Sequence, residues 1–335
     1  MRISSRTLLA SLLVFTTPAV MAAQKVFDRT FTATAGGLLT VDADGADVTV
    51  AGGDSDKVVV HITVEAAQKE LDALKLSAEQ NAGGVTVELK RPESRWFNFG
   101  SWSMDARIQV TVPKRYRVEM KTSGGDLSVS HLEGDATGKT SGGDVAMTDV
   151  TGQVRMHTSG GDMKIDHIKG DVQMVTSGGD IVAKTITGGL DVQTSGGSVQ
   201  FDSIDGPAKA RSSSGDIVAN SVHGNIDADT SGGDVRLLRI DGKIRAATSG
   251  GNVHCELVGA NRGISASTSG GNISLQVPKD TTATLDASSS GGKVTSELPV
   301  TTTSANGKRL SGPINGGGEA IYARTSGGNI TLSIK

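Results

Sequence analysis

Thr158-Ser159-Gly160-Gly161-Asp162-Met163-Lys164-Ile165-Asp166-His167-Ile168-Lys169-Gly170-Asp171-Val172-Gln173-Met174-Val175 is one copy of an 18-residue unit that decides the fold. Its opening pentad, Thr-Ser-Gly-Gly-Asp, starts at Thr122 and returns at Thr140, Thr158, Thr176 and Thr194. It is degraded at Ser212, returns at Thr230 and Thr248, and has looser copies at Thr268, Ser289 and Thr325. A fixed period of this length marks a stack of small identical units in which each contacts only its neighbours.

Within the unit, Met163, Ile165, Ile168, Val172 and Met174 alternate with polar residues, the pattern of half-buried strands. Gly161 and Gly170 lie nine residues apart, and apolar residues follow each at two and four positions. The unit therefore predicts two short strands per coil, each ended by a glycine turn. Coils stack in parallel at a spacing of about 4.8 Å. The expected fold is all-β: a parallel β-solenoid over 122–335, with an irregular, widened coil pair at 298–324.

Each pentad position then has an expected role. Thr158 continues the alternation of Val172 and Met174 and should point inward, passing hydroxyl hydrogen bonds from coil to coil. The glycine pair should supply positive φ. Asp162 should bond the backbone just beyond the corner. The outward column Thr137, Arg155, Gln173, Asp191, Lys209, Asp227, Arg245 reads as a solvated face of mixed sign.

Residues 24–121 lack the period. Strand-like alternation recurs there, and Ala67, Leu71 and Leu74 have the spacing of one short helix. This stretch is expected to be a β-rich domain capping the first coil. Residues 1–23 read as a signal peptide, with Arg2 and Arg6 before the apolar Leu8–Phe15 and small residues at Ala19–Ala23. The remaining sequence has no transmembrane-length apolar segment.

Composition excludes some functions. Lys+Arg 33 against Asp+Glu 36 gives a net charge of −3, without the basic footprint of a nucleic-acid binder. The single cysteine, Cys255, occupies an apolar position of the repeat and reads as a buried small residue.

The signal-like start, the Val112-Pro113 entry strand, the pentads and the closing run Gly312 to Ile334 resemble a bacterial "putative-adhesin" family of unknown function. The resemblance spans nearly the whole chain after the signal-like start. It implies a cell-envelope protein built of β-strand repeats, and it carries no active site.

The column Asp126, Asp144, Asp162, Asp180 invites calcium. Calcium β-rolls, however, need Gly-Gly-x-Gly-x-Asp, and the equivalent positions here include Ser198, Asn252, Asn272, Lys293 and Asn329. His61, His131, His157, His167, His223 and His254 fall at different offsets; only His131 and His167 share one, two coils apart. No metal, cofactor or catalytic residue is expected. Constant coils also leave no loops to wall a cleft, which counts against a polysaccharide-acting β-helix enzyme. Partner-binding residues are expected in Arg95–Trp102, through Trp96, Phe97, Phe99 and Trp102. Exposed, these would form an adhesive patch; buried, they would plug the solenoid end, the preferred reading. The expected function is an exported, non-enzymatic adhesin-like surface protein binding an envelope protein or glycan. The alternative is a periplasmic structural or sensory accessory.

Overall fold

A computed structural model describes residues 23–34, 36–92 and 104–335. The signal-like stretch before Ala23 and the aromatic segment Trp96–Trp102 lie outside the described residues. The fold is an all-β solenoid. Its described strands form two long sheets, one of 15 strands and one of 16.

One coil shows why the sequence folds this way. The short strand Val154–His157 enters the pentad corner at Thr158, and the long strand Met163–Lys169 leaves it. Each short strand pairs in parallel with the short strand of the next coil, as Val154 does with Val172 and Met156 with Met174. Long strands do the same: Met163 faces Ile181 and Ile165 faces Ala183. The 18-residue period keeps this register, so inward positions stay inward. Their Val, Ile, Leu, Met and Ala side chains fill the space between the sheets, with Tyr116 and Phe201 the bulkiest fully buried residues.

The long strand bends through a left-handed residue. His131, Asp149, His167, Thr185, Ser203, Ser221 and Arg239 all have φ between 50 and 60°. L-residues rarely adopt this conformation, so seven successive coils hold it through the pairing on either side. The bend is not legible in the sequence because no glycine marks it.

The pentad differs from its expected chemistry in two ways. Its glycines do not have positive φ; that belongs to Gly152, Gly170, Gly188, Gly206 and Gly224 at the other corner, with φ of 141 to 156°. The second pentad glycine is needed for close approach. A Cβ on Gly161 would sit 2.0 Å from the Gly143 carbonyl oxygen, and one on Gly179 would meet Gly161 in the same way. The first glycine is freer: a Cβ on Gly160 would find its nearest atom at 3.7 Å. Ser214 accordingly occupies that position in the degraded copy.

The second correction concerns the aspartate. Asp144 Oδ1 accepts a hydrogen bond from the Asp162 N–H at 2.7 Å, and Asp162 Oδ1 accepts one from Asp180 N–H at 2.8 Å. Each carboxylate thus caps the next coil rather than its own turn. The inward threonine is buried as expected. Thr158 Oγ1 donates to the Gly143 carbonyl at 2.9 Å and accepts from the Gly161 N–H at 3.3 Å. Ser212 keeps the first of these bonds, to Gly197, at 2.9 Å.

Both ends break sequence order. Leu38–Ala43 and Asp47–Gly53 form a coil that stacks directly on Arg117–Thr122 and Leu127–Glu133. Gly84–Lys90 and Asp105–Pro113 lie on the outer side of that coil. A hidden corner connects its two strands. Thr122 Oγ1 donates to the Ala46 carbonyl at 2.9 Å, and Asp126 N–H donates to Asp47 Oδ1 at 2.9 Å. Lys57–Ala66 and the edge strand Ala23–Thr32 extend this end in antiparallel fashion. The short helix Gln68–Ala73 buries Leu71 beside them.

At the other end, Ala320–Thr325 and Ile330–Ile334 insert between the coil of Ile264–Val277 and the strands Ala283–Ser289 and Val294–Ser296. The expected widened coil pair is therefore a swap of the last two levels. Arg309–Ile314 adds an antiparallel strand outside Ala283–Ser289. The corner bonds follow the swap: Thr325 Oγ1 donates to Gly271 at 2.8 Å, and Ser289 Oγ to Gly328 at 2.7 Å.

Candidate functional site

The aspartate column is an inter-coil ladder. It runs Asp47, Asp126, Asp144, Asp162, Asp180, Ser198, Asp216, Asp234, Asn252, Asn272, Asn329, Lys293, each accepting from the backbone N–H of the next. An acceptor oxygen is the requirement, so Asp, Asn and Ser all serve. Lys293 stands last and only donates, from its backbone to Asn329 Oδ1 at 2.8 Å. Its side chain needs no acceptor, which accounts for the one basic residue in the column.

The histidines are dispersed. His131 Nε2 lies 3.5 Å from Asp149 Oδ2, His167 Nδ1 lies 2.9 Å from Asp166 Oδ1, and His61 pairs with Asp28 at 2.6 Å. Among the described residues, no three His, Cys, Asp or Glu side chains converge as a metal site. Burial, reinforced by Arg236, pushes His254 below its ordinary value, against an opposing pull from Glu256. Cys255 is fully buried, and that burial pushes its thiol up to about 12. A thiol so held is not a nucleophile.

A groove of about 670 Å³ lies on the outer face of the short strands, running from Gln153 to Arg245. One wall is the column Arg155, Gln173, Asp191, Lys209, Asp227, Arg245. The other is the second corner: Gln153, Asp171, Gly189, Pro207, Asn225, Lys243. The trough has a local cause. Asp171 and Asn225 fold back to accept from the N–H groups of Gly189 and Lys243, at 2.8 and 3.1 Å. Gly189 has no side chain, and Pro207 offers neither an N–H nor a reaching side chain.

Charges along the groove alternate and pair. Lys209 lies 3.7 Å from Asp191, Arg245 lies 3.3 Å from Asp227, and Arg211 lies 3.9 Å from Asp227. The mixed-sign column was legible in the sequence. The groove was not, because it depends on how two columns sit side by side. The expected aromatic contact residues Trp96, Phe97, Phe99 and Trp102 are outside the described residues, so their relation to the groove is not part of the geometry.

Solved structures match the chain along most of its length, at low identity and low TM-score. A putative cell adhesion protein from Clostridium sporogenes is 11% identical, with 94% of this chain and 100% of that one covered and a TM-score of 0.24. A putative adhesin from Parabacteroides distasonis is 13% identical over 93% and 97%, with a TM-score of 0.34. A putative lipid binding protein from the same organism is 15% identical over 92% and 96%, with a TM-score of 0.32. No curated protein matches the chain. With two overlapping matches, at residues 38–236 and 218–333, the chain belongs to the Toastrack DUF4097 family.

Proposed function

We propose that this protein is an exported, non-enzymatic, adhesin-like solenoid that binds a partner at the cell envelope or surface through the outer face of its short strands. The observation that carries this reading is the groove from Gln153 to Arg245. It is open and long, floored by paired strands, with charged and amide groups along its walls and a surface that is mostly apolar. Such a surface suits an extended partner that sets apolar faces on the floor and polar groups against the walls, as a sugar chain does.

Export rests on the basic and apolar start of the sequence. The aromatic segment, with Trp96, Phe97, Phe99 and Trp102, is proposed as a second contact region or as the plug of the solenoid end. Trp96→Ala with Trp102→Ala separates these roles: loss of binding by a folded variant marks a contact, and loss of folding marks a plug.

The test of the groove uses outward positions, so that folding is preserved. Gln173→Trp with Lys209→Trp fills the trough. Purified native protein should bind intact envelope particles, and the filled variant should bind much less at an unchanged melting temperature. Equal binding by both would overturn the reading. A native pool confined to the periplasm would argue instead for the accessory role.

A further inference from the structure

The outer face of the short strands changes character along the rod. From Asp191 to Arg245 its charges alternate from coil to coil and form ion pairs. From Lys121 to His157 they do not. Lys121 faces Lys139, and Lys139 faces His157, as direct register partners in neighbouring parallel strands. Like groups directly opposite one another oppose pairing. From Arg155 to Ser267 the short strands carry no such pair.

Among the described residues no carboxylate pairs with these cations. Asp42 faces Lys121, but its carboxylate is held by Lys90 at 2.6 Å. Asp135, on the flank, accepts from the Gln153 N–H at 2.8 Å. Glu119 faces the neutral Thr137. Arg155 donates to the neutral Gln153 Oε1 at 2.9 Å. Among the described residues, Lys121, Lys139 and Arg155 make no ion pair with a carboxylate.

The same place is concave. A pocket of about 300 Å³ has Thr137, Lys139, Arg155, His157 and Gln173 around an apolar floor that includes Met156 and Val175, with no acidic residue in its wall. Arg155 and Gln173 also line the long groove, so the two are continuous.

We infer that this pocket is an anion site for a sulfate or phosphate ester carried on an envelope polysaccharide. The Arg155 fork and the Lys139 ammonium match a tetrahedral oxyanion. Thr137 and Gln173 add neutral donors. The adjoining groove presents Asp171, Asp191, Lys209 and Asn225, acceptors and donors in mixture, which suits a hydroxyl-rich chain rather than a second charged one. The inference rests on the reading of this face as a binding surface and names the chemistry of its partner.

The test measures binding of the full chain to immobilised dextran sulfate, phosphorylated mannan and unmodified dextran, at low and high salt. Native protein should bind one or both esterified polymers, weakly or not at all the plain one, and less as salt rises. The sulfated and phosphorylated arms identify which ester is preferred. Lys139→Ala with Arg155→Ala should weaken that binding by about tenfold or more. Lys164→Ala with Lys184→Ala, which removes as much positive charge from the exposed outer face of the long strands, away from the groove, should change it by less than about threefold. The Lys139→Ala melting temperature should hold or rise, because a like-charge contact is removed. Equal loss in both double variants, or no binding to either esterified polymer, would overturn the inference. If the esters fail while the groove-filled variant still loses envelope binding, only the anion chemistry is wrong. If the groove-filled variant binds envelopes as native protein does, the reading of the face itself fails.

Discussion

The two corners of each coil do the same geometric job with different tolerance for change. At the pentad corner, a buried hydroxyl and a close-packed glycine recur with little variation, and the cap ladder is unbroken from Asp47 to Lys293. At the opposite corner, the cap column runs Asp135, Gln153, Asp171, Gly189, Pro207, Asn225, Lys243, and only Asp135, Asp171 and Asn225 supply acceptors to the next coil. Gly189 has no need of an acceptor, since the residue facing it across the coil is a proline without an N–H. The groove runs along that column, where Asp171 and Asn225 fold back and Gly189 and Pro207 carry no reaching side chain. One edge holds the stack together, and the relaxed edge leaves room for a binding surface.

The contrast can be broken most sharply at the pentad glycines. Gly161→Ala places a Cβ 2.0 Å from the Gly143 carbonyl and forces two coils apart. It should cost at least about 3 kcal/mol, read as a large fall in melting temperature. Gly160→Ala, one residue earlier, meets nothing closer than 3.7 Å and should cost no more than about 0.5 kcal/mol. Similar effects from the two would remove close approach as the reason for the second glycine.

Thr158→Val is the next largest. It keeps the shape and strands the Gly143 carbonyl and Gly161 N–H. The expected loss is about 1–3 kcal/mol in denaturant unfolding. Thr158→Ser should recover most of it, as Ser212 does in its own coil.

Smaller effects test the ladder. Asp162→Ala deletes the acceptor for the Asp180 N–H at a solvated edge and should cost about 0.5–1.5 kcal/mol. Lys293→Ala, at the end of the column, should stay within about 0.5 kcal/mol of native. A larger loss at Lys293 than at Asp162 would contradict the direction of the ladder.

Much of this architecture could be read from the sequence. The period, the inward threonine and the replaceable polar cap all follow from alternation and drift. The hidden corner Asp44-Gly45-Ala46-Asp47 escaped detection because Ala43 and Ala46 stand where later coils carry threonine and glycine. The swap of the final coils also escaped, since Ser289 and Thr325 are both competent corners and spacing does not say which packs inside. The left-handed bend at Thr185 and its equivalents has no residue signature. On the outer face, the column through Arg155 was legible. The facing pair Lys121 and Lys139, with His157 next in register, was not, because it appears only once register places those residues opposite one another.

The central claim is that the pentad is architecture and that binding belongs to the outer face. The most direct test replaces Asp144, Asp162 and Asp180 together by asparagine, and follows thermal unfolding of native and variant chains with and without calcium. If the column only caps backbone N–H groups, the variant folds, melts within a few degrees of native, and neither protein responds to calcium. A native protein stabilised by calcium, with the response lost in the triple variant, would contradict the account and make the corner a ligand site.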